Sequence, residues 1–380
     1  MNGASLRRHG IGSAGLAFAL AIAASTSAVD RIQFALTDLG TLGGDLSRAL
    51  DMNDHGVIVG WSTTAESPRG ERHAFVIGEE GMIDLGTLGG PWSEARAVNN
   101  AGQIVGVSTT PEGEEHAFYV YQDMLLDLND LVPSVGRVVP NDSIAECGAP
   151  LRVLIEANGI NDEGWIVACG YVEADDALHG FLLYPLMPIF PTEPMYRYID
   201  LGQLPKASDC IATAISEDRT VVGMSGTQAF RYQDGVMEAI EDPDVVSMAL
   251  AVSGEWTVGW IGPTLMQPHP TLWLGRQRLD LPVPGGGIGE ANDLNDAGAV
   301  VGWAARDMGH PWEAMLWSDG RSVRLTGASL APLRADDFGW SRLEEATAID
   351  AEGRIVGSGR TLDGLARAFL LTPLELDPGD

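Results

Sequence analysis

The sequence has few cysteines and little positive charge. Its 380 residues include three cysteines, too few to stabilise a domain of this size with disulfides, so a packed core must provide the stability. Lys and Arg number 23 against 53 Asp and Glu, for a formal net charge of −30. Such an acidic surface repels phosphate backbones and anionic lipids, so we expect no nucleic-acid partner and no membrane docking.

Long apolar runs are also scarce, and the one present lies near the N-terminus. Arg7 and Arg8 precede an apolar stretch at residues 14–24, and small residues follow up to Ala28. This three-part pattern is typical of a secretory signal peptide, and the stretch is short for a membrane-spanning helix. We therefore expect cleavage near Ala28 and an extracellular or periplasmic protein. The arginine pair leaves both Sec and twin-arginine export open.

The rest of the chain is repetitive. The heptapeptide DLGTLGG at residues 38–44 recurs unchanged at 84–90, each time followed by a segment ending in I-V-G and then the triplet His-Ala-Phe. Looser copies continue to the end and make seven units, which are spaced about 50 residues apart, as propeller blades are. The I-V-G segments and their variants end at Gly60, Gly106, Ala168, Gly223, Gly259, Gly302 and Gly357.

Each unit predicts four short strands, because runs of five or six β-branched and apolar residues alternate with Gly- and Asn-rich turns. The last unit stops after its third strand, whereas residues 32–39 read as a fourth strand with no unit before them. We predict an all-β closed propeller of seven four-stranded blades, with the last blade completed by the N-terminal strand. The predicted domains are a signal peptide at 1–28, one propeller at 29–376 and a tail at 377–380. Six or eight blades and a right-handed β-solenoid are the alternatives.

The repeated unit resembles the HAF repeat, which is named for the triplet found here at residues 73–75 and 116–118. The resemblance covers essentially the whole mature chain and is sharpest in the first two units. It implies an exported bacterial repeat protein and agrees with the predicted fold. It implies no particular activity.

Repetition argues against catalysis at the most conspicuous residues, because a catalytic group is needed only once. His73, His116 and His179 occupy the same place in three units, so we expect each ring to hydrogen-bond a neighbouring backbone carbonyl. The recurrent Asn-Asp-x-Gly segments, first seen at Asn53, are predicted to be hairpin turns rather than calcium loops. We find no nucleophile motif and no metal-ligand spacing, and we expect no metal and no cofactor.

Features that break the repeat are the better candidates for function. Two insertions, at residues 129–156 and 326–345, are predicted to lie as loops on the same face of the ring. The second contains Asp336, Asp337 and Trp340, an acidic and aromatic set suited to binding hydroxyl groups and stacking on a ring. Trp92 lies in another predicted loop and completes the predicted binding set.

Three cysteines allow at most one disulfide within the chain. We expect a Cys147–Cys210 pair in preference to a bridge with Cys169, because a long loop precedes the third unit and can reach its neighbour. Three free thiols are the alternative.

These features predict a non-enzymatic, exported and monomeric binding module for an extracellular protein or glycan. An enzyme acting on extracellular carbohydrate through non-repeated carboxylates is the alternative, and a structural role in an envelope assembly also stays open. Carboxylates that converge in a pocket on the ring axis would favour the enzyme.

Overall fold

The fold is all-β, as predicted. A computed structural model describes residues 33–67, 70–78, 81–132, 150–186, 195–326 and 339–374, and these form 28 strands and one short helix, α1 (Leu128–Leu131). No helix in these ranges is long and apolar enough to cross a membrane. The first half contains β1 (Gln33–Asp38), β2 (Gly43–Met52), β3 (Ile58–Thr64), β4 (Arg72–Gly78), β5 (Gly81–Gly86), β6 (Ser93–Val98), β7 (Ile104–Thr109), β8 (Glu115–Tyr121), β9 (Met124–Asp127), β10 (Leu151–Ile160), β11 (Ile166–Val172), β12 (His179–Leu186) and β13 (Met195–Asp200). The second half contains β14 (Cys210–Ile215), β15 (Val221–Ser225), β16 (Gln228–Gln233), β17 (Val236–Ala239), β18 (Val246–Ser253), β19 (Trp256–Gly262), β20 (His269–Leu274), β21 (Gln277–Asp280), β22 (Ile288–Leu294), β23 (Val300–Ala305), β24 (Glu313–Ser318), β25 (Arg321–Arg324), β26 (Trp340–Ile349), β27 (Ile355–Thr361) and β28 (Ala366–Leu374).

The described strands form seven antiparallel sheets of four. Blade 1 is β2–β5, blade 2 is β6–β9, blade 3 is β10–β13, blade 4 is β14–β17, blade 5 is β18–β21 and blade 6 is β22–β25. Blade 7 combines β26, β27 and β28 with β1. The first strand of each blade contacts the first strands of both neighbours, and β26 contacts β2, so the ring closes.

The N-terminal strand completes the last blade. β1 pairs with β28 over six residues, from Gln33 opposite Leu374 to Asp38 opposite Phe369. Phe34 and Leu36 on this strand are buried in the blade 7 core. The prediction of a seven-bladed propeller closed by its N-terminal strand is confirmed.

Small residues let the seven first strands crowd around the axis. Each carries one fully buried alanine, and these are Ala49, Ala95, Ala157, Ala212, Ala249, Ala291 and Ala346. The strand register shifts after each of them, as in a β-bulge. The opposing residue must be very small at this close approach: a Cβ on Gly60 would lie 2.0 Å from the carbonyl oxygen of Arg48. This explains the recurrent V-G of the second strands.

The Asn-x-x-Gly segments form turns, as predicted, and also tie neighbouring blades together. Gly56 adopts the positive φ (+77°) that closes the first turn. The amide of Asn53 donates to the backbone oxygen of Asn99 (2.8 Å), and the amide of Asn99 donates to that of Asn161 (2.8 Å). The amide of Asn295 donates to the backbone oxygen of Asp350 in the same way (2.9 Å). We call the face that carries these turns the lower face.

The opposite face, called the upper face, carries the connections between the second and third strands and between blades. It includes the ends of the two predicted insertions, but these are shorter than expected because β10 begins at Leu151 and β26 at Trp340. Leu154 and Leu343 are fully buried, and their burial extends each first strand into the predicted loop. The remaining parts, 133–149 and 327–338, lie outside the described residues.

Candidate functional site

The first strands surround a cavity of about 400 Å³ on the ring axis, and this cavity is open to solvent. Two sets of side chains face it, one residue before and one residue after each buried alanine. The upper ring consists of the preceding residues Arg48, Glu94, Glu156, Ile211, Met248, Glu290 and Glu345. The middle ring consists of the following residues Leu50, Arg96, Asn158, Thr213, Leu250, Asn292 and Thr347. All of them except Arg48 and Glu290 line the cavity, and their identity differs from blade to blade, whereas the alanine between them does not.

Arg96 is the centre of the charged half of the wall. Its guanidinium lies 2.6 Å from a carboxylate oxygen of Glu156 and 2.6 Å from the amide oxygen of Asn158, both in the next blade. Glu94 lies 3.4 Å from it in the same strand. Burial alone would lower the pKa of Arg96, but the charges of Glu156 and Glu94 raise it, so the guanidinium stays charged. These contacts fix its orientation toward the cavity.

A second charged group closes the ring between blades 6, 7 and 1. Arg48 forms an ion pair with Glu345. The amide of Asn292 donates to Glu345 Oε1 (3.1 Å) and to the backbone oxygen of Ala346 (2.9 Å). Glu345 is therefore held from both sides while it lines the cavity.

The opposite half of the wall is apolar. Ile211, Met248 and Leu250 from blades 4 and 5 line the cavity there. Between them, Thr213 Oγ1 donates to the backbone oxygen of Ala249 (2.9 Å), so its hydroxyl is used to join two blades. The cavity thus has one wall of charged and amide groups and one wall of aliphatic side chains.

Three acidic groups near the axis have raised pKa values. Burial raises the pKa of Glu290 to about 7, with a smaller contribution from the charge of Glu345. Nearer the lower face, toward the ends of β2 and β22, burial raises the pKa of Asp51 to about 6 and that of Asp293 to about 7. Each of these aspartates accepts a hydrogen bond from a backbone N–H of the next blade. None of these three groups lines the cavity itself; the carboxylates that do are Glu94, Glu156 and Glu345, and carboxylates on the axis are what the enzyme alternative requires.

The repeated histidines bind carboxylates, so the expected hydrogen bond to a backbone carbonyl is wrong. Nδ1 of each ring pairs with an aspartate at or near the end of the fourth strand of the same blade. The pairs are His73 with Asp84 (2.8 Å), His116 with Asp127 (2.6 Å) and His179 with Asp200 (2.9 Å). Antiparallel pairing places each aspartate opposite the phenylalanine two residues after the histidine, so the histidine and the aspartate are diagonal neighbours on one face of the sheet.

Other blades use different side chains at the equivalent positions. In blade 6 the charges are exchanged, since Glu313 replaces the histidine and Arg324 replaces the aspartate, and they pair at 3.0 Å. In blade 4 Gln228 replaces the histidine and donates to the backbone oxygen of Glu241 (3.3 Å). A position that accepts Glu and Gln does no common acid–base chemistry, so these groups join strands.

Of the four residues predicted to bind a ligand, the structure describes two, Trp340 and Trp92. Asp336 and Asp337 lie outside the described residues. Trp340 is only 1% exposed and packs edge-to-face on Phe369, so its ring is not available for stacking on a ligand. Trp92 is half-buried on the upper face, and the guanidinium of Arg72 lies 4.9 Å from its ring centroid. One face of Trp92 is therefore covered by the protein itself.

The cysteines that the structure describes are buried. Cys169 and Cys210 are not bonded to each other, and burial raises the pKa of both thiols, that of Cys210 to about 12. Cys147 lies outside the described residues, so the Cys147–Cys210 disulfide stays a prediction. In the described ranges, no three His, Cys, Asp or Glu side chains are grouped as a metal site requires.

No family model matches the sequence, and no curated protein matches it. Among solved structures, the chain is similar to a point mutant of the Aleuria aurantia lectin in complex with Fucalpha1-6GlcNAc. The TM-score is 0.29 at 10% sequence identity, over 75% of this chain and 98% of the lectin chain. The resemblance to HAF repeats stays a prediction, and the candidate site rests on the geometry of this chain alone.

Sequence reasoning missed the central cavity and its arginines. Arg96 and Glu156 are 60 residues apart, and neither belongs to a recognisable motif. The sequence nonetheless contains a signal for the cavity. When the seven units are aligned on the buried alanine, the residues directly before and after it differ in type from unit to unit. Reading those positions around the ring would have identified the cavity wall.

Proposed function

We propose that the protein is a binding propeller whose central cavity holds a neutral saccharide. The observation that supports this is the two-sided cavity wall, with fixed charged and amide groups opposite aliphatic side chains. A volume of about 400 Å³ falls within the range of small-molecule pockets. It suits one or two sugar rings rather than a protein segment, which favours the glycan over the protein partner.

The chemistry of the two walls matches the two sides of a sugar. Carboxylate, guanidinium and amide groups hydrogen-bond hydroxyls in both directions, and Glu156, Arg96 and Asn158 offer all three together. Met248 and Leu250 provide a surface for the C–H face of the ring. Because Arg96 and Arg48 are already paired with carboxylates and the chain carries −30, an anionic sugar is disfavoured.

Export belongs to the same proposal. The N-terminal pattern of residues 1–28 and the resemblance to extracellular repeats support a secreted or periplasmic protein, where free glycans are available. N-terminal sequencing of the protein secreted by its host tests this: a mature chain starting near residue 29 is expected, and a cell-retained, uncleaved chain overturns it.

The binding test is a glycan array followed by calorimetric titration of the best ligand. Arg96→Gln removes the central guanidinium, and Met248→Trp fills the cavity from the apolar side without changing a charge. Arg219→Gln is the matched control for the first, since Arg219 forms an exposed ion pair with Glu163 on the lower face. Met124→Trp is the control for the second, since Met124 is 55% exposed at the start of the outer strand β9 of blade 2.

We expect both cavity variants to weaken binding by about 10-fold or more and both controls to bind as the wild type does. The Met248→Trp result is decisive if Arg96→Gln proves unstable, because it leaves every ion pair intact. The proposal fails if no saccharide on the array binds, or if Met248→Trp binds normally.

Glu290 favours a second candidate function, cleavage of the bound saccharide. Its pKa of about 7 would let it hold a proton as a general acid, and Glu345 lies in the neighbouring blade at the same strand position. Release of reducing ends from the bound glycan, abolished in Glu290→Gln, would establish the enzyme. Binding without release, unchanged in that variant, would leave the non-catalytic module.

A further inference from the structure

Two tryptophans are stacked beside the upper ring of the cavity. Trp303 in β23 and Trp312 just before β24 have ring centroids 4.2 Å apart and planes inclined by only 11°. Trp303 is 2% exposed, whereas Trp312 is only half-buried. One face of Trp312 is therefore covered and ring surface remains open to solvent on the upper face.

This stack is continuous with the cavity wall. Nε1 of Trp303 donates to Glu290 Oε2 (3.2 Å), and Glu290 belongs to the upper ring. Asn292, two residues further along the same strand, lines the cavity. Glu290 does not itself line the cavity, but it lies in the strand that carries Asn292, so the contacts from Trp312 through Trp303 reach the strand that forms the cavity wall.

The loop that presents Trp312 is braced. Asp307 Oδ1 accepts hydrogen bonds from the backbone N–H of Gly309 (2.8 Å) and from Nδ1 of His310 (2.8 Å). The hydrogen bond from His310 lowers the pKa of Asp307, so the carboxylate stays ionised as an acceptor. A ring held by a braced loop and by a buried partner loses little freedom when a ligand covers it.

Other tryptophans beside the upper ring are covered by the protein. Trp61 and Trp92 both have the guanidinium of Arg72 over their rings, at 5.1 Å and 4.9 Å from the centroids. Trp260 is 5% exposed. Among the indoles that the described strands place beside the upper ring, Trp312 is the one best able to receive a ligand.

We propose that Trp312 is a second saccharide subsite, a platform on which the next ring of an oligosaccharide stacks when its first ring occupies the central cavity. The ligand is then a neutral oligosaccharide of at least two or three rings. The apolar face of a pyranose covers the open indole, while hydroxyls reach the polar wall near Glu290. This inference rests on the proposed function of the cavity.

The test is a chain-length series measured by calorimetry. The probes are the mono- to hexasaccharides of glucose and of N-acetylglucosamine, together with the length series of the best binder on the array. Trp312→Ala removes the platform, and Trp312→Phe keeps an aromatic face. Trp165→Ala is the matched control, because Trp165 is a half-buried indole that contacts Arg219 at the lower face.

We expect wild-type affinity to rise with chain length until both sites are occupied. Trp312→Ala should weaken binding of the long probe roughly 5- to 10-fold and leave the monosaccharide unaffected, and Trp312→Phe should restore part of the loss. Trp165→Ala should change neither. If Trp312→Ala binds long and short probes in the wild-type ratio, the subsite is overturned while the cavity proposal stands. If no probe binds to any variant, the cavity proposal itself has failed.

Discussion

Ionisation of Asp293 opposes folding, and its replacement should stabilise the protein at alkaline pH. The carboxylate lies near the axis, where it accepts a hydrogen bond from the backbone N–H of Ile349 (2.9 Å). Burial, helped by the nearby charge of Asp51, raises its pKa from 3.8 to about 7. The folded state therefore holds this proton more tightly than the unfolded state does.

The sign and size of the effect follow from that difference. Below about pH 3 the carboxyl group is protonated in both the folded and the unfolded state, so it contributes no pH-dependent instability. As the pH rises toward 7, Asp293 ionises in the unfolded chain before it ionises in the folded protein, so the free energy of unfolding falls. Above pH 7 the group is ionised in both states and stability falls no further. The shift of about 3 units corresponds to about 4 kcal/mol. Asp51, raised to about 6, adds a smaller loss over a lower pH window.

Asp293→Asn keeps an oxygen that can accept the Ile349 hydrogen bond and removes the ionisation. At pH 8 its free energy of unfolding should exceed that of the wild type by up to about 4 kcal/mol, and at about pH 3 the two should agree. Urea unfolding followed by tryptophan fluorescence at both pH values measures this. Asp176→Asn is the charge-matched control, since Asp176 is 94% exposed in its ion pair with Arg152. An Asp293→Asn protein no more stable than the wild type at pH 8 would refute the reasoning.

Three further predictions concern the ring and its sulfur. Deleting residues 31–38 removes the strand that closes blade 7 and should cost about 5 kcal/mol, whereas deleting 377–380 should leave the melting temperature unchanged; equal melting temperatures would contradict the closed ring. Trp340→Ala should destabilise the protein by about 3–5 kcal/mol in urea unfolding, because it empties a fully buried site, and a loss below about 1 kcal/mol would show that the indole is not part of the core. Mass spectrometry after alkylation in denaturant without reductant should show one alkylated cysteine, Cys169, and a peptide that links Cys147 to Cys210, and three alkylated thiols would exclude the disulfide.

The fold could be predicted because each unit contains its own local signals. Turn glycines, β-branched second strands and the tight Ala-containing first strands recur seven times, so errors in one unit are corrected by the others. Closure could also be predicted, since the unit that lacks a fourth strand at Leu371 is matched by a lone strand at Gln33. These signals are short-range and depend little on tertiary contacts.

The histidine partner could have been predicted but was missed. Histidine and aspartate occur together at these positions in four units, with His269 and Asp280 in blade 5, and in blade 4 both are lost together, with Gln228 and Ala239 in the equivalent positions. Joint loss indicates that two positions interact. Neither position taken alone indicates its partner, and this is why the expected hydrogen bond to a backbone carbonyl is wrong.

The cavity could not be predicted from a pass along the chain. Whether Arg96 faces the axis depends on the register shift after Ala95, and its partner Glu156 comes from the next blade. Trp340 is predicted to be an exposed loop residue because it follows a loop-like sequence. Its ring is buried against Phe369, since β26 starts earlier than the sequence pattern suggests. Side-chain direction at strand ends is set by tertiary packing.

A crystal structure of the protein soaked with the best saccharide from the array tests the central claim most directly. We predict a sugar ring on the axis between Arg96 and Met248, with its hydroxyls within hydrogen-bond distance of Glu156 and Asn158 and its C–H face on Leu250. Saccharide bound only between blades or on the outer strands, with the axial cavity unchanged, would contradict the claim.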